Sequence, residues 1–153
     1  MRHMFENAHA YDGSGISGWG VDQVTDMFRM FAWTQNFNAD LSGWNTIRVT
    51  NMAEMFRDSI YNNDVSSFNV AQVTTMNYMF YETPFDSNIS HWDTGRVTNF
   101  DSMLRKTPFD QDISKWIVSS ATSMTEMFRD TSHFNQDISK VRPPFYNTCL
   151  CVF

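Results

Sequence analysis

The side chains of this 153-residue chain that could do chemistry come in rows. Methionines stand in pairs three apart, Met27/Met30, Met52/Met55, Met76/Met79 and Met124/Met127, with Phe100/Met103 keeping the place between the last two. Thioethers are soft ligands suited to Cu(I). Each pair, however, runs into Phe or Leu at helical spacing, which points to core packing, where Met fills gaps between neighbours. Acids and amides recur at Asp40, Asp64, Asn88, Asp112 and Asp137, each followed by an aliphatic residue and Ser. Stacked carboxylates repel unless each accepts backbone amides or shares a cation such as calcium. The glycine-rich nonapeptide of calcium-binding β-rolls is missing, and Asn38, Asn62, Asp86, Asp110 and Asn135 just ahead are also turn formers, so turn capping is the favoured use. A threonine row, Thr25, Thr50, Thr74, Thr98 and Thr122, offers a ladder of hydroxyls or a flat array for a ligand lattice. Capping of the loop before the helix is its preferred reading.

The remaining reactive types do not assemble. Arg57, Arg105 and Arg129 each lie near an acid, Asp58, Asp101 or Asp130, as on a solvated, salt-bridged face. His3, His9, His91 and His133 share neither phase nor metal-ligand spacing. Cys149 and Cys151 are too close for an easy disulfide and read as buried cap thiols or as half of an intermolecular link. No nucleophile elbow, phosphate loop or paired catalytic carboxylate stands out from the rows. The chain is therefore expected to be non-catalytic, with no cofactor and no metal. Binding falls instead to positions that vary between rows: Arg48, Gln72 and Arg96 on one stretch, and the pattern-breaking aromatics Trp33 and Tyr61, which have a hot-spot character.

What must position these residues is a repeat. From Trp19 an aromatic recurs at Trp44, Phe68, Trp92 and Trp116, in steps of 25, 24, 24 and 24. Val24, Val49, Val73, Val97 and Ala121 hold the same phase. The apolar set Val49, Met52, Met55, Phe56 has the i, i+3, i+6, i+7 spacing of a short helix. Its start is marked by N-cap types at Asp26, Asn51, Thr75, Asn99 and Ser123. Alternation at Trp44/Thr46, Phe68/Val70 and Trp116/Val118 predicts a short strand. A unit of one strand and one helix has leucine-rich-repeat size. The expected fold is thus a right-handed repeat solenoid, leucine-rich-repeat-like, with short parallel strands, short helices and five coils of 24–25 residues. Its domains are a half-repeat cap at 1–18, the solenoid at 19–140 and a C-terminal cap at 141–153.

Composition sets the outer limits. With 42% hydrophobic residues, 14 Phe, 11 Met and 5 Trp, the chain has ample material for a core. A net charge of −6 argues against a phosphate-neutralising nucleic-acid binder. No window reaches the length of a membrane span, and neither a signal-type apolar run, a lipobox cysteine nor a prenylation box is visible.

The strings Phe134-Asn135-Gln136-Asp137-Ile138-Ser139 and Val97-Thr98-Asn99 through Met103-Leu104 resemble the 25-residue-repeat surface-protein family of mycoplasma lipoproteins, which is grouped with the BspA-like leucine-rich-repeat surface proteins. The resemblance covers roughly residues 16 to 140. It implies a cell or particle surface location and a non-catalytic role, adhesion or the binding of a protein or glycan. The alternative expectation is a small structural subunit that cements a larger assembly, such as a capsid or multisubunit complex.

Overall fold

The computed structural model describes residues 1–141. The C-terminal cap read at 141–153, and Cys149 and Cys151 within it, lie outside the described residues but for Val141. The architecture is a stack of turn-built coils, one per sequence repeat, with amides of each coil bonded to carbonyls of the next.

The leucine-rich-repeat-like solenoid of strands and helices is not what forms: the described residues contain no helix and no strand longer than a single bridge. The Met-x-x-Met-Phe segments are chains of tight turns. Each closes a bond three residues back, Met30 N to Met27 O at 3.1 Å, Met55 N to Met52 O at 3.2 Å and Met79 N to Met76 O at 3.1 Å. A left-handed residue sits inside each of these turns, Arg29, Glu54 and Tyr78, where a helix would need a right-handed one. Positive φ falls twice per coil, four residues apart: Arg29 and Trp33, Glu54 and Asp58, Tyr78 and Glu82, Ser102 and Lys106, Glu126 and Asp130.

The physical reason lies in where the amides point. A helix sends every N–H to the carbonyl four residues back. Here Met27, Arg29, Phe31 and Trp33 instead donate to Asn51, Ala53, Met55 and Arg57 of the next coil, at 2.8–3.1 Å. Of the expected N-caps, Asp26, Asn51 and Asn99 accept the amide two residues on, at 2.8–2.9 Å, whereas the Thr75 and Ser123 hydroxyls donate to Asn77 and Asp101. They open a turn and not a helix. The expected strand is likewise two successive turns, closed by Trp44 N to Leu41 O at 2.9 Å and Val49 N to Thr46 O at 2.9 Å. Strand-like pairing survives only as a row of parallel bridges, Asp26–Asn51–Thr75–Asn99–Ser123.

The core is two ladders of rings running along the stack. Phe31, Phe56 and Phe80 lie 5.7 and 5.6 Å apart with near-parallel planes. Phe37, Tyr61, Phe85, Phe109 and Phe134 form the second ladder, whose members stack on the first at 3.9 Å (Phe31–Phe37) and 3.7 Å (Phe80–Phe85). The methionine pairs fill the space beside them at zero exposure. Trp44, Trp92 and Trp116 each donate the indole N–H to a carbonyl of the preceding coil, Ile16, Val65 and Ile89, at 3.0–3.3 Å. A buried indole needs such a partner, and the coil below supplies it at a fixed distance.

Polar rows lock the register. Thr50, Thr74, Thr98 and Thr122 each donate a hydroxyl to the threonine carbonyl one coil earlier, at 2.9–3.1 Å. Asn38, Asn62, Asp86 and Asp110 each accept the amide of the matching residue one coil on, at 2.8–3.2 Å.

Candidate binding groove

The second left-handed position of each coil forms a row on the outside of the turns, Trp33, Asp58, Glu82, Lys106 and Asp130, with φ of 59°, 53°, 56°, 60° and 60°. Positive φ swings these side chains out of the turn, and the amides of the first four tie each to the next coil, Trp33 N to Arg57 O at 2.8 Å and Asp58 N to Tyr81 O at 2.8 Å. Two residues further along, Gln35, Ile60 and Pro84 form a parallel row. Between the rows lies an open groove of about 530 Å³, floored by Ser59 and Thr83. The floor is polar but satisfied, since Ser59 and Thr83 donate to Phe56 O at 2.6 Å and Phe80 O at 2.7 Å.

Electrostatically the groove sits at the end of an ion-pair chain that climbs the stack. Arg29 meets Glu6 at 3.6 Å and Glu54 at 2.9 Å, and Arg57 meets Glu54 and Asp58 at 3.0 Å each. Within the groove Lys106 meets Glu82 at 2.6 Å. The Trp33 ring carries the guanidinium groups of Arg29 and Arg57, 5.4 and 5.2 Å from its centroid. Asp58 and Glu82 both line the groove, one coil apart. Partial burial raises the Asp58 pKa, with Glu82 adding to it. The Lys106 contact chiefly holds Glu82 low.

Of the residues singled out from the sequence, the structure brings only Trp33 to this groove. Tyr61 is fully buried, its ring 4.0 Å from Phe56, and a side chain with no exposure makes no surface contact. Burial, with Asp40 and Asp64 nearby, pushes its phenol pKa up, and its hydroxyl has no hydrogen-bond partner among the described residues. Arg48 and Arg96 lie exposed on a separate face, each bonded to a glutamine one coil earlier, Gln23 at 2.5 Å and Gln72 at 2.8 Å. Beside that face a second depression of about 380 Å³ runs past Phe68, Asn69, His91 and Trp92.

The other rows are structural. The Asp/Asn row closes turns: Asp40, Asp64, Asn88, Asp112 and Asp137 each accept the amide of the serine two residues on, at 2.7–2.9 Å. Arg105 pairs with Glu126 and, at 3.7 Å, with Asp130, and not with Asp101 as its sequence neighbourhood suggests. Among the described residues no helix is long and apolar enough to cross a membrane.

Glu82, Lys106, Ile60 and Pro84 were not singled out from the sequence, and Asp58 only as the acid beside Arg57, a pair that forms at 3.0 Å. The available signal was phase: residues 33, 58, 82 and 106 repeat in steps of 25, 24 and 24, so the row that holds the conspicuous Trp33 holds them too.

The whole of this frame, residues 1–84 and again 60–144, matches the family described as Mycoplasma protein of unknown function, DUF285. The chain belongs to that family. No curated protein and no solved structure matches it. The two overlapping matches of this family cover every coil that lines the groove.

Proposed function

We propose that this member of the family is a non-catalytic interaction module of the BspA-like surface type, which binds a protein or glycan partner through the outer faces of its coils. One observation carries the reading. Buried rows repeat the same residue classes coil after coil, whereas the outward row varies, from the aromatic Trp33 through the acids Asp58 and Glu82 to the basic Lys106. Repeat scaffolds that hold a core constant and vary one face present that face to partners. The groove of about 530 Å³ lies within the size range of ligand sites.

Protein and glycan arrays probed with the labelled chain test this. Saturable binding to a defined class, weakened by substitutions on the groove or the Arg48–Gln72–Arg96 face, is the expected result. Lack of saturable binding, together with a fixed larger mass and co-purifying subunits in native mass spectrometry of material from its source, would replace it with the assembly-subunit role.

A further inference from the structure

The ion-pair chain along the turn face alternates in sign at every step but one. It runs Glu6, Arg29, Glu54, Arg57, Asp58, with contacts of 2.9–3.6 Å, and resumes at Glu82–Lys106 at 2.6 Å. Between Asp58 and Glu82 the alternation breaks, two acids following one another along the groove lining. That break falls inside the groove, between the Trp33 wall and Lys106. Four carboxylates therefore face three cations along this stretch.

Two neighbouring carboxylates repel each other, and a cation between them relieves the repulsion. Burial, with Glu82 adding to it, raises the Asp58 pKa, while the Lys106 contact chiefly holds Glu82 low, so a cation placed between the two acids would favour the ionised Asp58. Opposite the pair stand Ile60, 42% exposed, and Pro84, an apolar wall with the shape to hold a methylene stem. Long basic side chains use both features at once, burying the stem while the charged head meets carboxylates. The alternative occupant, a sugar, stacks on an open aromatic face, yet the Trp33 ring already carries the guanidinium groups of Arg29 and Arg57.

We propose that the groove between the Trp33–Lys106 row and the Ile60–Pro84 row is a seat for a basic side chain of a protein partner, whose cationic head bridges Asp58 and Glu82 and whose stem lies along Ile60 and Pro84. The seat rests on the interaction-module reading and narrows it to one partner chemistry. An arginine fork can meet both carboxyls at once, so it is favoured over lysine.

The test is an NMR titration of the full ¹⁵N-labelled chain with capped pentapeptides Gly-Gly-Xaa-Gly-Gly, Xaa being Arg, Lys or the neutral isostere citrulline, and with chitotetraose as the competing class. Arg and Lys peptides are expected to shift the Trp33 indole and the Asp58 and Glu82 amides. Citrulline is expected to bind about tenfold or more weakly, the loss that goes with removing a charged hydrogen-bond partner. The doubly neutralised D58N/E82Q chain, its melting point checked for intact folding, should show a similar loss. Equal binding of citrulline, undiminished binding by D58N/E82Q, or groove shifts from chitotetraose alone would each overturn the seat. Shifts confined to the Arg48–Gln72–Arg96 face would also overturn it while leaving the interaction role standing. Silence to every probe would sink the seat, and the arrays would then decide the broader role.

Discussion

Tyr61 shows how one atom can be out of place in an otherwise satisfied interior. Its ring occupies the ladder position held by Phe37, Phe85, Phe109 and Phe134 elsewhere, and packs as they do. The hydroxyl adds nothing to that packing and has no hydrogen-bond partner among the described residues. A buried polar group left unpaired costs roughly 1–3 kcal/mol. Tyr61→Phe is therefore expected to be neutral or to stabilise by about 1 kcal/mol, as measured by urea unfolding. A loss of more than about 1 kcal/mol would mean that the hydroxyl has a partner after all. The same residue marks the limit of what single positions disclose. Trp33 and Tyr61 look alike in the sequence, two aromatics off the main pattern. Trp33 sits at a left-handed position that faces outward. Tyr61 is simply the phenylalanine rung of its coil, two residues after the serine that closes the turn.

At the scale of the element, the turn chain replaces both the helix and the strand that the spacing implies. Apolar residues at i, i+3, i+6 and i+7 fit one face of a helix. They fit equally a run of three-residue turns whose reversals bring the same residues inward. Spacing alone does not separate the two; the destination of the amides does, and that depends on a neighbouring coil. Alternation at Trp44 and Thr46 is real in burial, yet the backbone there is turned and not extended. What the sequence did carry was the period and the buried classes, because hydrogen bonds between coils 24 and 25 residues apart require it. The charged members of the groove row were illegible for a different reason: acids and bases on an acidic chain read as a solvated face, and only their shared left-handed geometry groups them with Trp33. That geometry can be probed directly. A side chain in the left-handed region costs about 1–2 kcal/mol, which glycine avoids and a β-branched residue worsens. Lys106, exposed with φ of 60°, is suited to the comparison, since Lys106→Gly and Lys106→Val lose the same ion pair with Glu82. The glycine variant is expected to be more stable than the valine variant by about 1–2 kcal/mol in the same urea titration. Equal stabilities would mean that the turn relaxes at no cost and that the left-handed frame is not imposed by the stack.

For the molecule as a whole, cohesion depends on rows that bind one coil to the next and close each coil on itself, and several of these rows titrate. Asp40, Asp112 and Asp137 are held below the usual carboxylate range by the serine amide, with the serine side chain adding to it. Asp12 is held low chiefly by the Ser14 hydroxyl, and Asp110 by the Asn135 amide of the following coil. A carboxylate whose folded pKa lies below its unfolded one, about 3.9 for Asp, stabilises the fold above that value. The contribution is lost as the pH falls through the folded pKa. Asp58 works in the opposite sense: its raised pKa means that the folded chain holds the proton more tightly, so this site favours the fold as the pH falls. Five depressed aspartates outnumber it, and they recur from the first coil to the last. The melting temperature is therefore expected to fall on acidification from about pH 5 toward pH 2. Asp40→Asn keeps an oxygen for the Ser42 amide but does not titrate, so it should make the acid limb shallower. A melting temperature flat across that range would show that these turns contribute no net stability. Loss of only the terminal coils, seen as early exchange of their amides, would show that the stack frays coil by coil, as nearest-neighbour coupling in a repeat protein allows.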